Sequence, residues 1–107
     1  MKMRVSVPPP LDQFLGGYFN EDWHLDDATW QGVVRRYLNV EPSESVAAAA
    51  AQLKALLATE LDDSTLERSV LREHGCCFNP ASIGVSMRDW LTVVLGMLEG
   101  RGGEGAA

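Results

Sequence analysis

A chain of 107 residues, 46% of them hydrophobic, has room for one domain, and that domain can bury a core without metal or disulfide staples. Its formal charge of −6, from 15 Asp and Glu against 9 Lys and Arg, argues against nucleic-acid backbones and anionic membranes as partners, since both need clustered cations. The same excess favours a basic partner.

The opening Met1-Lys2-Met3-Arg4-Val5-Ser6-Val7-Pro8 is basic, but it lacks the apolar stretch of about seven or more residues that makes a signal peptide. Pro8-Pro9-Pro10 imposes polyproline geometry and removes backbone donors, so residues 1–10 are expected to form an extended or mobile arm. A single helical domain over 11–99 follows. Its first helix is expected at 11–19, where Leu11, Phe14, Leu15, Tyr18 and Phe19 keep helical spacing. Gly16 and Gly17 interrupt that run, and each glycine inside a helix costs about 1 kcal/mol relative to alanine. Close approach by another element, allowed where no Cβ projects, is the compensation the pair suggests.

Residues 20–25 read as a connection anchored by an inward Trp23. Asp26 or Asp27 is then a suitable N-cap for a second helix with Trp30, Val33, Val34, Tyr37 and Leu38 on its inner face. The third helix starts at Pro42-Ser43, either with Ser43 as cap or with Pro42 in the first helical position. It continues through an alanine- and leucine-rich run to Leu61, with Val46, Ala50, Leu53 and Leu57 in one stripe. That run is the most apolar in the chain. Gln52, Lys54 and Glu60 interrupt it, and it falls short of the roughly 18 to 20 apolar residues of a membrane span.

Ser64-Thr65-Leu66-Glu67 reads as a capping box opening the fourth helix, and Gly75 as its terminator after His74. Residues 76–85, with Asn79-Pro80 and Gly84, should be irregular. Ser86-Met87-Arg88-Asp89 resembles a second capping box, and Met87, Trp90, Leu91, Val94, Leu95 and Leu98 make the inner stripe of a fifth helix. Residues 100–107 are a Gly-rich tail with nothing to pack, expected to be disordered. No run alternates like a strand. The fold expected is therefore all-α, a small bundle of about five short helices with mobile tails, in a soluble, cytoplasmic protein.

Two stretches resemble one family. Leu15-Gly16-Gly17-Tyr18-Phe19-Asn20-Glu21-Asp22-Trp23 is similar to the opening signature, Leu-Gly-Gly-Tyr-Phe-x-x-Asp-Trp, of immunity proteins from contact-dependent growth inhibition systems. Gly75-Cys76-Cys77-Phe78-Asn79-Pro80, then Gly84-Val85-Ser86 and Trp90-Leu91, resembles the closing pattern of that family. The chain departs from the family pattern at Asn20-Glu21, where His-Gln is frequent. The resemblance spans about residues 11–98. It implies a protein partner, a cognate toxin domain held in a stoichiometric complex, and many such toxins are nucleases with basic clefts. Leu15, Gly16, Gly17, Tyr18, Phe19, Asp22, Trp23, Gly75, Pro80, Gly84 and Trp90, which match the pattern, are then expected to be scaffold.

Other chemistry has less support. Asp22, His24, Asp26 and Asp27 cluster, but their spacing matches neither a helical His pair nor a calcium loop, and caps in an acidic loop explain them. His74, Cys76 and Cys77 come from one short turn and cannot surround a tetrahedral ion unaided. A His74–Cys77 nucleophile pair is formally available, but small cysteines filling a junction account for the motif. The vicinal cysteines are poorly placed to bridge each other. No phosphate loop is present, and Arg35-Arg36 is the only adjacent basic pair.

The expectation is a binder rather than an enzyme, with no cofactor, no metal, and no nucleic-acid or membrane partner. Acidity concentrates in the middle third. The toxin-binding groups expected are Glu60, Asp62, Asp63 and Glu67 at the junction of the third and fourth helices, with Glu21, Asp26 and Asp27 second. A general helical interaction module without an immunity role is the alternative, followed by a small Cys/His enzyme. Oligomeric state is not encoded in any motif.

Overall fold

Pro9, in polyproline geometry, leads into the first helix with Pro10 at a position where its missing N–H is harmless. Residues 9–26 and 28–100 are described in this computed structural model, Asp26 by its backbone alone. The arm assigned to residues 1–10 lies outside the described residues up to residue 8, as do the tail beyond Gly100 and the candidate cap Asp27.

All elements among the described residues are helical. Helix α1 covers residues 10–18, an α turn at Pro10–Asp12 widening into a π-helical stretch at Gln13–Tyr18. Then come α2 (Trp23–Asp26), α3 (Trp30–Val40) and α4 (Ser43–Ala58). Helix α5 covers residues 63–73, α-helical over Asp63–Arg68 and π-helical over Ser69–Glu73. A 3₁₀ turn at Pro80–Ile83 precedes α6 (Met87–Glu99). The all-α bundle expected from periodicity is what forms, with one element more: the stretch read as a connection contains α2. No helix among the described residues is long and apolar enough to cross a membrane.

Helix α4 packs against both α1 and α6 through one buried stripe, Val46, Ala49, Ala50 and Leu53. Arg88 at the start of α6 reaches the Leu57 carbonyl at the end of α4, so the two run antiparallel. The inner stripes predicted for α3, α4 and α6 supply Val33, Val34, Tyr37, Val46, Ala50, Leu53, Met87, Trp90, Leu91, Val94 and Leu98 to the core, all buried. Phe14, Leu15 and Phe19 of the first helix are fully buried with them. Such short helices gain their stability from this mutual burial rather than from propensity.

Several boundaries differ from expectation. The cap of α3 is Thr29, whose side chain accepts from the Gly32 N–H, and Asp26 instead ends α2. Pro42 occupies the N-cap of α4 and Ser43 is its first residue, a start midway between the two expected routes. Asp62, not Ser64, caps α5 by accepting the Thr65 N–H at 2.8 Å. Each shift has the same origin: several cap-competent residues stand side by side, and tertiary packing chooses among them. Ser86 does cap α6, accepting from the Asp89 N–H at 3.1 Å. Gly75 does end α5, with φ +75, a conformation that favours glycine.

The close approach expected at the glycine pair belongs to Gly16 alone. A Cβ there would stand 2.9 Å from the His74 carbonyl oxygen, whereas one at Gly17 would meet nothing within 4 Å. The end of α5 therefore lies directly on the backbone of α1. Two bonds complete this joint: the Cys77 N–H donates to the Phe19 carbonyl at 2.7 Å, and Asp12 pairs with the His74 ring through Nδ1.

Candidate functional site

Four of the middle-third carboxylates, Glu60, Asp62, Asp63 and Glu67, lie between the end of α4 and the first turns of α5, but they are unequally free. Glu60 is exposed. Asp62 is exposed and caps α5, and the Thr65 N–H that it accepts holds its carboxyl below the ordinary carboxylate range. Asp63 turns the other way. It accepts from the Arg88 N–H at 2.9 Å and the Met87 N–H at 3.3 Å, closing the start of α6. Arg88 answers by donating to the carbonyls of Leu57 at 2.8 Å, in the last turn of α4, and of Leu61 at 2.9 Å, beyond its end. Glu67 accepts from the Asn79 side-chain amide at 3.0 Å and steadies the loop before the 3₁₀ turn. The structure thus places Glu60, Asp62, Asp63 and Glu67 at or near the start of α5 and gives all but Glu60 internal hydrogen bonds.

Glu21 and Asp22 stand exposed in the bend between α1 and α2. The bend is shaped by Asn20, whose side-chain amide donates to the Gly17 carbonyl and whose Oδ1 accepts from the Asp22 N–H, both at 2.8 Å. His24 and Leu25 on α2 are exposed too. The cation cluster considered at Asp22, His24, Asp26 and Asp27 falls partly outside the described side chains. Among the described residues no three His, Cys, Asp or Glu side chains converge as a metal site.

Most of the residues carrying the family pattern occupy the interior or its joints, while Gly17, Asp22 and Gly84 are exposed. Leu15, Phe19 and Trp90 are buried, Pro80 is buried at the 3₁₀ turn, and Gly84 takes φ +77 at the end of that turn. Trp23 is half-buried, its ring 5.5 Å from that of Phe78 and 6.2 Å from that of Phe19. Tyr18 is half-buried and donates its hydroxyl to Glu41 at 2.6 Å, with the Arg36 guanidinium 5.2 Å from its ring centroid.

Burial, reinforced by the acceptor Glu41, pushes the Tyr18 phenol up to about 12; burial and the Glu41 charge do the same to Tyr37. Both stay neutral in the fold, while unfolded phenols ionise near pH 10. Their contribution to stability is complete below pH 10 and is lost as pH rises toward 12. Urea-denaturation midpoints are expected to fall across that window, with tyrosinate absorbance appearing together with loss of helical circular dichroism.

The groups singled out for catalysis have other surroundings. His74 is held by Asp12, Cys76 is buried with its thiol pushed up to about 12 by that burial, and Cys77 is exposed. An open groove of about 570 Å³ between α4 and the end of α6 is lined by Val46, Ala47, Ala50, Ala51 and Leu98, with Lys54 and Glu99 at its edges. It lacks the convergent polar groups of a reaction pocket. Sequence reasoning missed the Asp12–His74 pair, the Tyr18–Glu41 bond and the Asp63–Arg88 lock, since each joins residues far apart in the chain.

No curated protein matches the chain. Among solved structures, the crystal structure of a CdiA-CT/CdiI complex from Y. kristensenii 33638 contains a chain that superposes with a TM-score of 0.79 at 24% identity, over 83% of this chain and 95% of that one. At this identity the likeness concerns the fold. The sequence match to the family described as CdiI immunity protein extends over residues 8–98, taking in both motifs and all six helices, and by it the chain belongs to that family.

Proposed function

We propose that this protein binds and neutralises a cognate toxin domain of the CdiA-CT kind in a stoichiometric complex, approached through its acidic surface. The family match over residues 8–98 carries the reading, and the likeness to a chain of a CdiA-CT/CdiI complex supports it. The toxin is a basic protein, a nuclease by preference, because an inhibitor of charge −6 is drawn to a cationic cleft. Binding alone suffices for protection, so no bond-breaking step is assigned to the chain. Glu60, Asp62, Asp63 and Glu67 form the first acidic region, and Glu21, Asp26 and Asp27 the second. Exposed charges of this sort act mainly on the rate of encounter.

The test is titration of the toxin domain with the protein, by calorimetry and by stopped-flow association at low and high salt. A one-to-one complex is expected. Glu60→Lys combined with Asp62→Asn, which keeps the cap of α5, should slow association about tenfold at low salt and flatten its salt dependence. Absence of any complex with toxin domains of the CdiA-CT kind, its cognate among them, would sink the reading. Unchanged rates in the double variant would remove the α4–α5 junction from the interface.

A further inference from the structure

Three of the four large apolar side chains most exposed among the described residues lie close in the chain to members of one aromatic cluster: Leu25 at 72% exposure, Ile83 at 54% and Val93 at 53%. In that cluster Phe78 meets Trp23 edge-to-face at 5.5 Å and lies tilted 5.1 Å from Trp90, and Trp90 stands 5.7 Å from Trp30. Leu25 is two residues past Trp23, Ile83 closes the turn after Phe78 and Pro80, and Val93 lies one turn of α6 beyond Trp90. Trp23 and Trp30 are themselves only half-buried. Helix α2, the start of α3, the 3₁₀ turn and the outer side of α6 thus expose apolar groups around a rigid aromatic base.

The charges nearest this patch are mostly negative. No lysine or arginine occurs in residues 5–34, which carry Glu21 and Asp22, both exposed; residues 78–87 carry no charge, Arg88 beyond them turns its guanidinium to the Leu57 and Leu61 carbonyls, and Asp89 is exposed. Two copies meeting here would set carboxylates against carboxylates, and a nucleic acid would be repelled. An apolar centre with an acidic rim fits a protein surface that offers an apolar seat ringed by lysine or arginine.

We propose that this patch, with Leu25 as its most exposed member, is where the toxin domain is anchored, a placement that rests on the immunity reading above. Burial of a few apolar side chains dominates the lifetime of a complex, while rim charges govern its formation. The aromatic base holds the patch in place before contact, so little ordering is required on binding.

The experiment measures association and dissociation of the full chain with the toxin domain, for the wild type, Leu25→Glu, Leu25→Met, Glu21→Lys and Val40→Glu. Val40, 63% exposed at the end of α3, adjoins none of the clustered rings and serves as control. Because these side chains face solvent, circular dichroism and urea midpoints should match the wild type. Leu25→Glu is expected to weaken binding at least about 100-fold through faster dissociation, Glu21→Lys to slow association several-fold, and Leu25→Met and Val40→Glu to bind normally. Wild-type-like binding by Leu25→Glu, or equal weakening by Val40→Glu, overturns the placement and leaves the immunity reading intact. Failure of the wild type itself to bind overturns the immunity reading. Self-association of the wild type that Leu25→Glu abolishes assigns the patch to a second copy and also overturns the placement.

Discussion

Replacing Trp90 by alanine is expected to cost about 3–5 kcal/mol, a large share of the roughly 5–15 kcal/mol that holds a domain of this size together. Trp90 is 1% exposed, and the rings of Phe78, Phe19 and Trp30 stand 5.1, 5.4 and 5.7 Å from it. Those rings come from three separate parts of the chain, so truncation leaves a cavity that no single element can collapse to fill. Its indole N–H is buried without an acceptor among the described residues. Phenylalanine would therefore shed an unsatisfied donor, worth about 1–3 kcal/mol, while losing part of the indole's packing. Trp90→Phe should cost less than about 1.5 kcal/mol, and urea denaturation of the three proteins separates the cases. A loss for Trp90→Phe as large as for alanine would mean that the N–H has a partner in solution.

The glycine pair should respond with opposite signs. At Gly16 a methyl group would press on the backbone oxygen of His74 at 2.9 Å, and a main-chain atom cannot swing aside. The clash outweighs the helix-propensity gain, and Gly16→Ala is expected to destabilise by about 1–3 kcal/mol. Gly17 has open space around its would-be Cβ and no positive φ, so Gly17→Ala should stabilise by about 0.5–1 kcal/mol. Thermal or urea unfolding of the two single variants measures both. Equal signs would mean that the joint between α1 and α5 relaxes more than its contacts suggest.

What could be read in advance follows from how local its causes are. The stripe of α6 and its Ser86 cap are set by residues within four places of one another, and both appear as expected. The inward Trp23 and the terminator Gly75 were legible for the same reason. The π-helical widening at Gln13–Tyr18 and Ser69–Glu73 was not, because it accompanies the seating of one helix end on another. The acidic junction was legible as a region but not in its division of labour. Nothing near Asp63 announces that its carboxylate will close the start of a helix 24 residues on. Likewise, Leu25 reads as one more apolar residue until its exposure is seen. The Gly16 approach lies between the two: the glycines asked for a neighbour, and only the fold shows which of them has it.

The bond from Cys77 to Phe19 and the seat of His74 on Gly16 make the first helix dependent on chain that is synthesised much later. A nascent polypeptide that has left the ribosome only through α4 lacks the surface on which α1 finishes its packing. Folding of α1 is consequently completed only after α5 and the loop that follows it have been made. In a cell that must be shielded without delay, protection is supplied by molecules already finished, and a reserve of mature copies matters more than the speed of making new ones.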